Sequence, residues 1–281
     1  VDLQNTKLSL EGQNIGIPDG RFNLQTNAGG QIELRGQTKG GPLNADIVLG
    51  EQNGANTVTV NLDADARVLG FYWPGVVGGK ISGQYVLGSG PLRGDLKISD
   101  AVLQVPEAPF VQIKQVGGIF KHRNDQITLQ LAGRGWNGPV VAEGLVDLAA
   151  QNWQVNATAT PSVDGFARSL GASGTGRLQL QVNASGWQTV KVTARGKGSG
   201  RFSGVAFKNL LADYVFMNDP KKPNSQRNEV TFKGKTELVG SQTVQGKWAF
   251  NRSGQIAMTG TFAQKPVKIN AVIDAQNVLA L

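Results

Sequence analysis

The sequence offers few side chains that could perform acid–base, nucleophilic or metal chemistry. Cysteine is absent, and His122 is the only histidine among 281 residues. A catalytic or metal-binding histidine needs partner groups of matching chemistry, and no second histidine or thiol exists to supply them. Lys121 and Arg123 flank His122 in the sequence. We therefore interpret His122 as a solvated turn residue and predict no metal site.

Carboxylates form the second group of candidates, because a pair of them can act as general acid and base in glycoside hydrolysis. The residues considered are Asp63, Asp65, Asp95, Asp100 and Asp164. All lie near predicted strand ends and turns, where aspartate is ordinarily solvated. The glycine-rich residues 78–79 and 196–200 lack the Gly-Lys-Ser/Thr ending of a phosphate-binding loop. We predict no catalytic residue, no cofactor and no enzymatic activity.

Residues 78–99 show the pattern that most of the chain repeats. Apolar residues recur at every second position around Ile81, Tyr85 and Leu96, which predicts strands with one apolar and one polar face. The glycines and proline at 88–91 predict a turn between two such strands. Read along the whole chain, this pattern predicts an all-β protein of about 18 to 20 strands in an antiparallel meander. Two short helices are predicted at 66–73 and 161–170.

Composition is consistent with a folded β-rich chain, with 40% hydrophobic and 17% charged residues. The 38 glycines are assigned to the turns between strands. No apolar run reaches the roughly 18–20 residues of a membrane-spanning helix. Both ends fall within strand-like sequence, so we expect an excised section of a larger protein.

An internal repeat divides the chain. Residues 58–64 and 153–159 each precede a predicted helix, which is followed by a glycine-rich segment, a strand and a Ser-Gly pair. Gly83 and Gly176, at matching places, are 93 residues apart. The spacing predicts modules at roughly 55–150 and 151–240, within one continuous elongated segment spanning residues 1–281.

The net charge of +8 and the pI near 9.8 fit either a solvated basic surface or attraction to anionic partners such as lipid headgroups, lipopolysaccharide or nucleic acid. The densest cluster, Lys221, Lys222 and Arg227, lies in a polar loop. Nucleic-acid binders concentrate basic residues and interleave aromatic ones, a pattern this chain does not show. We expect no nucleic-acid partner.

The apolar faces of so many strands must be covered by another layer, by closure of the sheet or by a ligand. A long sheet that curls along its length would enclose an apolar trough able to hold an elongated lipid. An ordinary closed core is the alternative, and the residues alone leave both open. The candidate trough residues are Val58, Val60, Leu62, Ile81, Tyr85, Leu87, Leu96, Ile98, Ile127, Leu129, Leu131, Leu178, Leu180, Val182, Val190, Val192, Ile256 and Met258.

The first predicted helix is followed by GGKISGQYVLGSGPLRGDLKISDAVL, and a looser copy spans residues 165–204. This arrangement resembles the repetitive β-rich region of the AsmA-like superfamily, and within it most closely the TamB family, the inner-membrane subunits of the translocation and assembly module. The resemblance covers residues 55–215 best. It implies a "β-taco", which is a long U-shaped sheet with an apolar interior.

The resemblance also implies a function. TamB-like chains span the periplasm of diderm bacteria from an inner-membrane anchor, and they are associated with outer-membrane assembly factors and with glycerophospholipid transport. For this chain it implies periplasmic localisation, with a tether to the inner membrane through a segment outside this sequence. The implied partners are a phospholipid or other acyl-chain lipid, an outer-membrane barrel assembly factor and the remainder of its own full-length chain.

Two other readings remain open. A cell-envelope or surface β-sandwich or solenoid with a filled core would bind carbohydrate or protein, and Trp73, Trp136, Trp153 and Trp187 would then serve as platforms for sugar rings. A polysaccharide-acting enzyme on a β-helix would depend on one of the aspartates. The state of the apolar face, open or filled, discriminates between the first reading and the lipid trough.

Overall fold

The protein is described from a computed structural model. The structure describes residues 2–3, 6–10, 13–17, 19–27, 29–38, 40–52, 55–71, 75–88, 90–105, 108–169, 171–221, 227–236, 242–250, 255–262 and 265–272. The side chains of the first 18 residues and of those after 236 lie outside the described part.

Within these residues the protein is all-β, which confirms the fold class that the alternating pattern predicts. The strands are β1 (Asp2–Leu3), β2 (Thr6–Leu10), β3 (Gln13–Ile17), β4 (Gly20–Thr26), β5 (Gln31–Thr38), β6 (Gly41–Gln52), β7 (Ala55–Asp65), β8 (Val76–Gly88), β9 (Arg93–Val105), β10 (Ala108–Arg123), β11 (Gln126–Gly135), β12 (Gly138–Asp147), β13 (Asn152–Ala159), β14 (Gly174–Gly186), β15 (Val190–Phe202), β16 (Val205–Asn218), β17 (Arg227–Thr236), β18 (Gln242–Phe250), β19 (Gln255–Phe262) and β20 (Lys265–Val272). Both predicted helical segments are present, as a 3₁₀ helix at Ala66–Phe71 and an α-helix, α1, at Val163–Ser169.

The chain divides into two compact units. Unit 1 comprises Val1–Gly133 and Leu145–Ala150, and unit 2 comprises Arg134–Gly144 and Gln151–Leu281. The chain passes from one unit to the other within β11, within β12 and again between β12 and β13. The repeat of modules at 55–150 and 151–240, and their union in one elongated segment, remain predictions.

In unit 1 each strand from β4 to β10 pairs antiparallel with the next along the chain. Along β6, Leu43, Ala45 and Ile47 are buried at alternate positions, as the period of a strand requires. The 3₁₀ helix starts directly after β7, where the carboxylate of Asp65 accepts a hydrogen bond from the backbone N–H of Arg67 at 2.9 Å. Such a cap satisfies an N–H that the first turn leaves free.

Among the described residues of unit 1, three packed clusters form the core. The first contains Phe22, Leu34, Leu43, Ala45, Ala64, Val68 and Ile81; the second contains Ala66, Val76, Ile98, Ala101, Leu103 and Val116; the third contains Ile47, Val58 and Leu87. The 3₁₀ helix contributes Val68 to the first cluster and Ala66 to the second. The apolar side of this sheet is therefore covered by side chains of unit 1 itself at these positions.

In unit 2 each strand from β13 to β20 pairs antiparallel with the next. Helix α1 has clear sequence determinants at both ends. The hydroxyl of Ser162 accepts a hydrogen bond from the N–H of Gly165 at 2.9 Å, which is an N-cap. Gly171 adopts φ 71° after the last turn, a left-handed conformation that ends helices and favours glycine.

Many glycines lie inside strands and not in the predicted turns. Gly198 of β15 is directly opposite Leu178 of β14, and a Cβ atom on this glycine would lie 2.6 Å from Leu178 Cδ2. Gly94 of β9 stands in the same relation to the ring of Tyr85. Glycine at these positions gives a large cross-strand neighbour room to lie on the sheet. Residues 196–200 are consequently part of a strand and form no phosphate-binding loop.

Candidate functional site

The alternate residues of β13–β17 place apolar side chains on one side of the unit 2 sheet. The central row runs across five strands, with Ala157 opposite Val182, Val182 opposite Ala194, Ala194 opposite Tyr214, and Tyr214 opposite Val230. Residues directly opposite each other in antiparallel strands share a face. Register alone therefore makes this side of the sheet a continuous apolar surface.

Rows on both sides of the central one extend this surface, which we call the unit 2 apolar face. Its members are Trp153, Val155, Ala157, Ala159, Leu178, Leu180, Val182, Ala184, Val192, Ala194, Leu210, Ala212, Tyr214, Phe216, Val230 and Phe232. Every one of these side chains is partly exposed, and none is fully buried. In unit 1, by contrast, the apolar residues at alternate strand positions supply the packed clusters.

The other side of the same strands is mainly polar. A matching row there consists of Gln181, Arg195, Asp213 and Thr231. The guanidinium Nε of Arg195 donates a hydrogen bond to the Asp213 carboxylate at 2.6 Å. The sheet of unit 2 thus separates an apolar face from a hydrated one.

Helix α1 covers one end of the unit 2 sheet. Val163 is buried there, against Gly174 at the start of β14. The ring of Phe166 meets the edge of Trp136 with centroids 5.8 Å apart and lies 6.4 Å from the ring of Phe202. These aromatic contacts anchor the helix over the ends of β14 and β15.

The predicted trough residues of unit 1 are mainly covered. Ile81 and Leu87 are each 1% exposed and Ile98 is 2% exposed, and Val58 is buried beside Leu87. The remaining predicted residues on β7 and β9, namely Val60, Leu62 and Leu96, are partly buried and pack against the first cluster. Their proposed contact with lipid stays a prediction, since in this structure their neighbours are side chains of the protein.

The remaining predicted residues are distributed over other strands. Tyr85 is partly buried over Gly94. Ile127, Leu129 and Leu131 alternate along β11 and are partly exposed, and Leu131 packs against the second cluster of unit 1. Leu178, Leu180, Val182 and Val192 belong to the unit 2 apolar face, and partly exposed Val190 begins β15 at its edge. Ile256 and Met258 lie on β19, and their side chains are outside the described part.

The list of predicted trough residues omits the aromatic part of the unit 2 apolar face. Tyr214 and Phe216 of β16 and Phe232 of β17 are brought beside the predicted residues by strand register. Alternation with polar residues signals Phe232, which lies between Thr231 and Lys233, whereas apolar neighbours on both sides of Phe216 remove that signal. Burial raises the pKa of the Tyr214 phenol above its ordinary value.

His122 lies in strand β10 and not in a turn. Its ring is half-buried, with the edge of the Tyr85 ring at a centroid distance of 5.9 Å. Nε2 is buried and has no hydrogen-bond partner in the described part of the chain. Loss of solvation lowers the pKa of this imidazole. Among the residues described, no group of three or more His, Cys, Asp or Glu side chains could hold a metal ion.

Three of the candidate carboxylates are engaged by arginine. The Asp65 carboxylate accepts hydrogen bonds from Arg67 at 2.8 and 3.0 Å. These hydrogen bonds are the main reason why the pKa of Asp65 is lowered. Both oxygens of Asp95 accept bonds from Arg123 at 2.8 Å. Asp164 accepts one from Arg168 at 3.0 Å within α1, while Asp63 and Asp100 lie on β7 and β9.

The fold therefore defines an all-β protein built from antiparallel meanders. Comparison of the chain with protein-family models, curated proteins and solved structures gives no match. No helix in the part of the chain that the structure describes has the length and apolar character needed to span a membrane.

Proposed function

We propose that this chain is a lipid-shielding section of a periplasmic β-taco protein related to the AsmA-like superfamily. The observation that carries the proposal is the unit 2 apolar face, which spans five strands with partly exposed Val, Leu, Phe and Tyr side chains. A face of this extent requires a cover, and an acyl chain has the matching shape and chemistry.

The mechanism is solvation without bond chemistry. Removing apolar surface from water contributes about 25 cal/mol per Å², so an acyl chain on such a wall gains several kcal/mol without any specific hydrogen bond. Because the hydrophobic interaction is non-directional, the acyl chain can shift along the strands at little cost in free energy. The cross-strand glycines Gly196 and Gly198 leave room for Leu180 and Leu178 to lie against the sheet, so these leucines can form part of the apolar wall.

The biological role that we propose follows from the sequence resemblance. The section would form part of a bridge between inner and outer membranes that moves phospholipid, supports outer-membrane protein assembly, or does both. Its partners would be the lipid, a barrel assembly factor and the rest of the full-length chain.

Site-specific photocrosslinking in cells tests this proposal. A photoreactive residue at Leu180 is compared with one at Ile119, which is 44% exposed opposite Lys97 in unit 1, and with one at buried Leu87. We expect lipid adducts at Leu180 and few at the other two positions. Adducts that follow exposure, with Ile119 above Leu180, would contradict the proposal, as would the absence of lipid at Leu180.

The packed clusters of unit 1 favour a second candidate, an envelope protein with a filled core that binds carbohydrate or protein. Trp187 is 44% exposed and is the tryptophan best placed as a platform, whereas Trp136 packs against Phe166. Trp153 is partly exposed on β13, and Trp73 lies outside the described residues. Loss of binding to a glycan array in Trp187→Ala, with Leu180 forming no lipid adduct, would support this candidate.

A further inference from the structure

The polar side of unit 2 carries an apolar ridge along β16. Leu211, Val215 and Met217 alternate on this strand and point away from the unit 2 apolar face, because Tyr214 and Phe216 occupy that face. Leu211 is 48% exposed, while Val215 and Met217 are partly exposed. We call these three residues the outer ridge.

Cationic side chains border the outer ridge on both neighbouring strands. Leu211 is directly opposite Lys197 of β15 and Lys233 of β17, while Met217 is opposite Lys191 and Arg227. Adjacent strands are about 4.8 Å apart, so the two lysines that flank Leu211 have Cα atoms about 10 Å from each other. The four cationic side chains, Lys191, Lys197, Arg227 and Lys233, are exposed.

The carboxylates on this surface leave the lysines unneutralised. Asp213 accepts a hydrogen bond from Arg195, and Glu229 accepts one from Arg227 at 2.9 Å. Within the described residues, the side chains of Lys197, Lys233 and Lys235 form no ion pair or hydrogen bond. The surface therefore presents a positive field around an exposed aliphatic side chain.

We propose that the outer ridge and its lysines dock on the surface of an anionic lipid bilayer. Cations attract the negative headgroups, each contributing about a fivefold gain in partitioning, and the aliphatic side chains enter the interface between headgroups and acyl chains. A nucleic acid would instead favour exposed aromatic residues interleaved with the cations, and the outer ridge has none. The inference concerns the side opposite the unit 2 apolar face and does not depend on lipid shielding.

Flotation of the purified full chain with vesicles tests the inference. The vesicles contain phosphatidylcholine with about one-third phosphatidylglycerol, and pure phosphatidylcholine serves as the neutral comparison. We expect binding to the anionic vesicles alone, with loss in about 1 M salt, where the Debye length is about 3 Å. The triple variant Lys197→Gln, Lys233→Gln, Lys235→Gln should lower partitioning about 100-fold, and Leu211→Gln about tenfold.

A matched control carries the same charge change elsewhere. Lys80, Lys97 and Lys121 are exposed residues of unit 1, and their replacement by Gln should lower partitioning by less than about threefold. Equal losses in both triple variants would overturn the inference, because binding would then follow net charge. Binding to heparin or duplex DNA without vesicle binding would overturn it in favour of a polyelectrolyte partner. Unchanged binding in Leu211→Gln would remove the outer ridge from the interface.

Discussion

The two units share one sequence pattern but differ in what covers its apolar side. In unit 1, Ile81 and Leu87 lie at alternate positions on one face of β8, and both are 1% exposed inside packed clusters. In unit 2, Leu178 and Leu180 alternate in the same way along β14 and remain partly exposed. The comparison teaches that alternation specifies the orientation of a side chain, whereas its burial depends on contacts made far along the chain.

The polar sides of the two units differ as well. In unit 1, Arg35 reaches both Glu33 and Asp46, and Arg123 is paired with Asp95. In unit 2, lysines along β15 and β17 lack such partners among the described residues. The unit with the filled core thus has a mixed outer charge, and the unit with the exposed apolar face has a basic one.

The largest expected effect concerns a leucine in each unit. Leu87→Ala leaves a cavity in a packed cluster and should lower the unfolding free energy by about 3 kcal/mol. Leu180→Ala, at a partly exposed position, should lower it by about 1 kcal/mol. Because two units need not unfold together, hydrogen exchange of peptides from each unit is the appropriate measurement.

Equal losses for the two leucines would contradict the comparison, since they would show that the unit 2 apolar face is packed as tightly as the core of unit 1. A larger loss of unfolding free energy in Leu180→Ala than in Leu87→Ala would reverse the expected order of the two units. The conservative change Leu87→Met, which keeps the volume nearly constant, is the control and should cost less than about 1.5 kcal/mol.

Glycines under large neighbours provide a second contrast. Gly94 is buried beneath Tyr85, and an added Cβ would lie 2.6 Å from Tyr85 Cζ. Gly94→Ala must displace this ring and should destabilise unit 1 by about 1–3 kcal/mol. At Gly196 the nearest atom would be Leu180 Cδ2 at 3.1 Å, the end of a side chain that can rotate into open space. Gly196→Ala should change the stability of unit 2 by less than about 1 kcal/mol, as measured by the same exchange experiment.

Acid should destabilise only one of the units through histidine, because the single histidine lies in unit 1. Burial lowers the pKa of His122 from 6.5, so the unfolded chain takes up this proton more readily than the folded one. The contribution of His122 to stability is therefore complete above pH 6.5 and is lost as the pH falls from there through the lowered folded-state pKa. Protection factors of unit 1 peptides, which correct for the slower intrinsic exchange at lower pH, should fall over this window in the wild type and change less in His122→Gln. The same acid response in both proteins would exclude His122 as its source.

Much of the fold follows from the sequence, because a period of two and turn-forming residues are local properties. The strands around Leu96 and Leu180 and both short helices are predicted in this way. The position of the glycines is not, because Gly94 and Gly198 are explained by side chains on neighbouring strands. The sequence likewise predicts a turn at His122, whereas pairing with β9 carries β10 through Arg123.

The candidate site was only partly predictable for the same reason. Leu180 and Val182 are recognisable from their own strand, but their union with Tyr214 and Val230 depends on the register of β14–β17. The sequence alone also could not distinguish Ile81 from Leu180, since the 3₁₀ helix that supplies Val68 beside Ile81 acts through tertiary packing.

The most direct test of the central claim is the lipid content of the purified chain, measured by mass spectrometry after gentle extraction. Ala194 lies at the centre of the unit 2 apolar face, and Thr193 is its neighbour on the polar side. Ala194→Asp places a carboxylate where acyl chains would lie, while Thr193→Asp adds the same charge to the hydrated side. The account predicts bound lipid in the wild type and in Thr193→Asp, and its loss in Ala194→Asp. Equal lipid content in both variants, or none in the wild type, would contradict it.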